Sequence, residues 1–140
     1  MIATQGSVNS HFWENKLREL KPQMTLYSKA CPLLVPLAEK KLYNSFISKL
    51  ILKKYLKELK QYQIDSLIFG CTHYPLFQEI ISNELGSNVN LINIGTASAK
   101  KTYDFLLANQ LQANVNNLNN INYFVSSSEK SFLKKVKKII

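Results

Sequence analysis

Apolar positions along the chain switch between short runs and helical spacing. Ile2 to Thr4 predicts the end of a strand, and Ser7 to Leu20 a helix that Ser7, Asn9 or Ser10 can cap. Met24 to Lys29 predicts a short strand. The next stretch, Cys31-Pro32-Leu33-Leu34-Val35-Pro36-Leu37, has two closely spaced prolines and predicts a loop with at most one turn of helix. Phe46, Ile47, Leu50, Ile51, Tyr55 and Leu59 recur every three or four residues, forming the apolar stripe of an amphipathic helix from about Leu42 to Gln61. Ser66 to Phe69 is a strand ending at Gly70, and Pro75 suits the first turn of a helix running to Leu85. Val89 to Ile94 predicts another strand, with a helix from Gly95 to Leu107. The asparagine-rich stretch from Asn109 to Asn120 is the best linker candidate. Ile121 to Val125 and Ser128 to Lys138 predict a last strand and helix. Strands separated by helices imply an α/β fold, a mostly parallel sheet with helices on both faces. In such folds ligands collect at the carboxyl ends of the strands.

At 140 residues the chain has the size of one ordinary domain, and 46% hydrophobic against 19% charged residues is a globular composition. No apolar run approaches the ~20 residues of a membrane span, so no membrane partner is expected. The first residues lack the basic and apolar regions of a signal peptide. Cys31 and Cys71 lie far apart, outside any zinc-finger spacing, so no metal site is expected and a reducing cytoplasm fits. The net charge of +9 raises nucleic acid as a partner. All but one of the cations are lysines, however, with Arg18 the exception, and arginine is the residue suited to bidentate phosphate and guanine contacts. Solvated helix faces explain the lysines better, and no nucleic-acid partner is expected.

The densest group of reactive side chains is Phe69-Gly70-Cys71-Thr72-His73-Tyr74-Pro75, where a strand hands over to a helix. A helix N-terminus and His73 would both favour the Cys71 thiolate. Gly70 permits a tight turn and close approach of a ligand, and Thr72 offers a hydroxyl and an amide for a carboxylate. A buried, inert cysteine after a core strand is the plainer alternative. His11 is expected at the surface.

Four segments carry a resemblance. Gly70-Cys71-Thr72-His73-Tyr74-Pro75-Leu76 resembles the second-cysteine motif of the glutamate racemases, within the aspartate/glutamate racemase family. Ala30 to Glu39 is similar to the family's A-[CT]-P-x-x-V-P-L-x-E segment, and Ile2 to Ser10 to the G-T-x-x-T opening of its second domain. Ile92 to Ala97 resembles I-D-S-G-x-A, with Asn93 and Ile94 in place of Asp and Ser. Related aspartate racemases carry Glu where His73 stands, so the glutamate branch is preferred.

The resemblance implies half of a two-domain fold. Residues 1–95 would be its second α/β domain, and residues 96–140 a carboxyl-terminal segment that packs onto the first. It also implies a cofactor-independent reaction in which two cysteines on opposite faces of glutamate remove and return the α-proton, making D-glutamate for peptidoglycan and hence for cell shape. Cys71 would be one acid/base, with His73 assisting and in reach of substrate. Thr72, Thr4 and Ser7 would bind substrate carboxylate or amino groups. Glu39 would have a supporting electrostatic role, or would be a helix-start acid favoured by the macrodipole. Cys31 matches a position often held by Thr and is read as structural. The family's Asp-Ser segment and the Asn-Thr segment bearing the other cysteine do not occur in these residues. The chain therefore resembles a carboxyl-terminal portion, expected to be inactive alone and to need the missing amino-terminal half or a second copy, a homodimer being one form of the latter. An inactive remnant or binding module keeping half an anion site is the rival reading.

Overall fold

The computed structural model describes residues 1–113, 122–126, 128, 130, 132 and 133. Four parallel strands form one sheet in the order β2-β1-β3-β4. They are β1 (Ile2–Ala3), β2 (Lys29–Ala30), β3 (Ser66–Gly70) and β4 (Asn90–Asn93). The helices between and after them are α1 (Gln5–Asn9), α2 (Phe12–Leu20), α3 (Leu34–Glu39), α4 (Phe46–Gln61), α5 (Gln78–Leu85) and, beyond β4, α6 (Ile94–Ala108). The expected α/β fold with a parallel sheet is what forms.

Parallel register aligns the strand ends. Ile2 pairs with Lys29 on one side and Phe69 on the other, Ala3 with Ala30 and Gly70, and Phe69 with Asn93. Thr4, Cys31, Cys71 and Ile94 each follow their strand at the same edge of the sheet. Leu67 and Phe69 enter the core beside Ile2, Leu34, Tyr74 and Phe77. Gly70 sits where β1 and β3 press together. A Cβ there would lie 2.8 Å from the Ala3 Cβ and 3.0 Å from the Ile2 carbonyl oxygen. Gly70 therefore serves the close approach of β1, and it also lines the cavity described below.

Several predicted elements change. Ser7 to Leu20 is two helices, because His11 takes the left-handed conformation (φ 50°) and the Ser10 hydroxyl accepts from the Phe12 amide instead. His11 is exposed in that junction, as expected. The strand expected over Met24 to Lys29 shrinks to Lys29–Ala30, the only positions there that pair with β1. The proline-bracketed stretch is a six-residue helix. Pro32 precedes it and Pro36 falls in its first turn, where an amide would have no partner in any case. α4 starts at Phe46 instead of Leu42 because the Ser45 hydroxyl caps the Ser48 amide. Its buried stripe is Ser48, Leu52, Leu56 and Leu59, packed toward α5, while Phe46, Ile47 and Leu50 face outward. Residues 74–77 form a 3-10 turn, with α5 beginning only at Gln78.

The chain divides into two compact units, Met1–Asp104 and Phe105–Ile140. In the second, residues 122–125 form no strand, and Phe124 is exposed. The Tyr123 and Phe132 rings meet edge-on, 5.8 Å apart. Most of the predicted linker, and most of the final helix, lie outside the described residues.

Candidate active site

Cys71 lies one residue beyond β3, half-buried, and its Sγ is 3.9 Å from His73 Nδ1. The other imidazole nitrogen, Nε2, is 3.0 Å from Glu39 Oε1. Glu39 is the last residue of α3, so the reading of it as a helix-start acid fails. A carboxylate at a helix's carboxyl end gains nothing from the macrodipole, and its partner is His73. The three side chains form one continuous line, glutamate to imidazole to thiol. A carboxylate on one nitrogen fixes the imidazole orientation and leaves the other nitrogen toward the sulfur.

On the neighbouring strand, Thr4 caps α1. Its Oγ1 accepts from the Ser7 amide (3.3 Å) and lies 2.9 Å from the Ser7 hydroxyl. Both residues are half-buried. Thr4 and Cys71 thus stand side by side, one position past the paired residues Ala3 and Gly70.

A cavity of about 550 Å3 opens at the same edge, between the ends of β3 and β4. Cys71 and Thr72 line it, together with Phe69, Pro75, Asn93, Ile94 and Ser98. Thr4, Ser7, His73 and Glu39 do not. Cys71 is where the cavity and the Glu39–His73 line meet. Sequence reasoning assigned no role to Asn93, Ile94 or Ser98. The usable signal was their position at the carboxyl end of β4, where a parallel sheet collects its ligands. Asn93 caps α6, its Oδ1 accepting from the Gly95 amide at 2.9 Å. The amide oxygen does here what an aspartate would do, so the replacement keeps the cap. Ile94, by contrast, adds an apolar wall.

Cys31 has a different setting. It is fully buried beyond β2, and desolvation pushes its thiol up to about 12. The Tyr74 hydroxyl donates to its carbonyl oxygen at 2.9 Å. This is a packed residue, in keeping with the structural reading. Among the described residues, no group of three or more His, Cys, Asp or Glu side chains is arranged to hold a metal ion. Nor is any described helix long and apolar enough to cross a membrane.

No protein-family model matches the chain. It is 39% identical over 134 residues to a glutamate racemase of Thermoanaerobacter sp. strain X514, covering 96% of this chain and 50% of that protein. It is 43% identical over 95 residues to the glutamate racemase of Streptococcus mutans, covering 68% of this chain and 36% of that one. A glutamate racemase crystal structure from Bacillus anthracis superposes with a TM-score of 0.86 at 31% identity, over 99% of this chain and 52% of that one. The Francisella tularensis glutamate racemase, solved in complex with D-glutamate, gives 0.76 at 32% identity, over 81% and 43% of the two chains. In both sequence and fold the chain belongs to the glutamate racemases, and it spans about half the length of the relatives it matches.

Proposed function

We propose that this chain is the carboxyl-terminal portion of a glutamate racemase and carries one of the two acid/base groups for interconverting L- and D-glutamate without a cofactor. The line Glu39–His73–Cys71, meeting the cavity at Cys71, is the observation that supports it. In one direction the Cys71 thiolate takes the α-proton of glutamate, leaving a carbanion-like centre that a thiol on the opposite face reprotonates. In the other direction Cys71 is the thiol that donates. His73 exchanges the proton with the sulfur, and Glu39 steadies the imidazole. The α-proton is far less acidic than a thiol, so fixed donors must stabilise the charge that develops at the carboxylate. The Thr72, Thr4 and Ser7 hydroxyls and nearby amides take that role. His73 is within reach of the same substrate group.

The second acid/base comes from outside these residues, because Cys31, the only other cysteine, is sealed in the core. Residues 1–95 then act as the second domain, and residues 96–140 pack against the first. The D-glutamate formed serves peptidoglycan synthesis in the cytoplasm and so maintains cell shape.

The test is interconversion of L- and D-glutamate followed by circular dichroism. The chain alone should show no turnover. Mixed with a separately produced amino-terminal half of a racemase, it should turn over, and Cys71→Ala should abolish that activity. Turnover by the chain alone would overturn the one-sided site. Turnover surviving Cys71→Ala would overturn the role of Cys71. A mixture that binds glutamate without turning it over would favour the binding-module reading.

A further inference from the structure

The outward face of α4 carries the largest disagreement between pattern and packing. Phe46 is 73% exposed, Ile47 55% and Leu50 53%, although their spacing marks them for a core. At 3.6 residues per turn, the direction opposite Ser48, Leu52, Leu56 and Leu59 passes through Phe46 and Leu50 and continues along Lys53, Lys54 and Lys57. All three lysines are exposed. The acids nearby are engaged elsewhere: Glu58 pairs with Lys29, and Glu84 with Lys60. Among the described residues, no ion pair involves Lys53, Lys54 or Lys57. One helix face therefore presents an apolar tip followed by uncompensated positive charge.

Contiguous exposed apolar residues mark an interaction surface, and the charge decides with what. A two-fold contact with a second copy would set the lysine row either against itself or against the partner's apolar tip, in both cases with no acid to meet it. Nucleic acid would meet the lysines but leave Ile47 and Leu50 without a counterpart. A protein would need pockets for three apolar tips and acids for three lysines, all in fixed register. An anionic bilayer surface meets both needs without register. Apolar side chains enter the boundary between headgroups and acyl chains, while lysines lay their stems along it and keep their ammonium groups at the phosphates.

We propose that the outward face of α4 docks on anionic lipid, with Phe46, Ile47 and Leu50 inserted and Lys53, Lys54 and Lys57 at the headgroups. The sequence pattern assigns this apolar stripe inward and predicts no membrane partner, and it is the exposure of these side chains that reverses the expectation. Lipid docking at this face is independent of the racemase chemistry.

Cosedimentation of the full chain with phosphatidylcholine vesicles, with and without phosphatidylglycerol, tests it. Binding is expected only with phosphatidylglycerol and should weaken as salt rises. Replacing Phe46, Ile47 and Leu50 together by Ser should lower partitioning about a hundredfold. A Lys53→Glu, Lys54→Glu, Lys57→Glu variant should lose a similar factor. Both variants should keep the parent's far-ultraviolet circular dichroism and urea midpoint, since none of these side chains is buried. Absence of binding to phosphatidylglycerol vesicles overturns the proposal, as does binding that neither variant weakens. Self-association or polyglutamate binding that disappears in the serine variant, with vesicle binding absent, would assign the face to a second copy or an acidic protein instead.

Discussion

Cys31 and Cys71 occupy matching places, each one residue beyond the carboxyl end of a parallel strand in the same sheet. Yet one is a core side chain and the other lines an open cavity. The residues after each cysteine make the difference. Beyond Cys31 the chain turns directly into α3, whose Leu34, Leu37 and Ala38 are buried around the same core, and the Tyr74 hydroxyl takes up the Cys31 carbonyl. Beyond Cys71 come Thr72 and His73, both polar, and burial resumes only at Tyr74 and Phe77. A strand end supplies the location, and the next two residues decide whether the thiol is sealed or available.

The sharpest way to break this comparison is competitive alkylation. With iodoacetamide limiting and pH near neutral, Cys71 should be modified about a hundredfold faster than Cys31, read by peptide mass spectrometry. Comparable rates would mean that the two strand ends do not differ in access to their thiols.

Alkaline titration sharpens the Cys31 side. Its thiol is raised from 9.0 to about 12 in the fold, so the native state keeps a proton that the unfolded chain has lost. The contribution of Cys31 to stability should be constant below about pH 9 and be lost as pH rises from there toward 12. Tyr74, whose phenol burial also pushes up from 10.0, adds to the loss in the upper part of that window. Cys31→Ala should remove the fall near pH 9 to 10 and leave the later one, as measured by urea midpoints across the range. An unchanged profile in that variant would show that the Cys31 thiol is not sealed.

Two substitutions probe the packing that separates the thiols. Gly70→Ala forces a Cβ into Ala3 at 2.8 Å and should cost about 1–3 kcal/mol in urea unfolding. Tyr74→Phe removes the donor to the buried Cys31 carbonyl and should cost about 1–2 kcal/mol. A neutral Gly70→Ala would mean that β1 and β3 can part without penalty, and the alignment of Thr4 with Cys71 would then be loose.

The residues explain why the site was more legible than its surroundings. Ser66-Leu67-Ile68-Phe69 is a short apolar run bounded by Gly70, and strand β3 forms there almost as read. Cys71, Thr72 and His73 sit beside one another in sequence, so their proximity needed no tertiary information. Glu39 could be drawn toward the site only through the resemblance, and its pairing with His73 was not legible, because the 3.0 Å contact depends on how α3 packs beside the turn after β3. The orientation of α4 was not legible. The helix carries two apolar stripes, and periodicity alone does not choose between Leu52-Leu56-Leu59 and Phe46-Ile47-Leu50. Packing against α5 chooses. The break at His11 was hidden for a local reason: the Ser10 hydroxyl competes with the backbone for the Phe12 amide, a conflict that hydrophobic spacing does not register.

The smallest expected effect tests whether the line behind Cys71 operates at all. If His73 exchanges a proton with the sulfur 3.9 Å away, His73→Ala should slow Cys71 alkylation about two- to fivefold at neutral pH, because it removes the ring nitrogen that takes the proton. Glu39→Gln keeps an oxygen able to face His73 Nε2 but removes the carboxylate charge beside the ring, so its effect should be smaller, about twofold. Cys31 alkylation should not respond to either change, which separates a local electrostatic influence from a general loosening of the fold. Combining the two substitutions should add nothing to His73→Ala, since Glu39 acts on the sulfur only through the imidazole. Additive slowing would show that Glu39 reaches Cys71 by another route. Rates indifferent to both would leave the motif as a structural turn, with Cys71 differing from Cys31 in exposure alone.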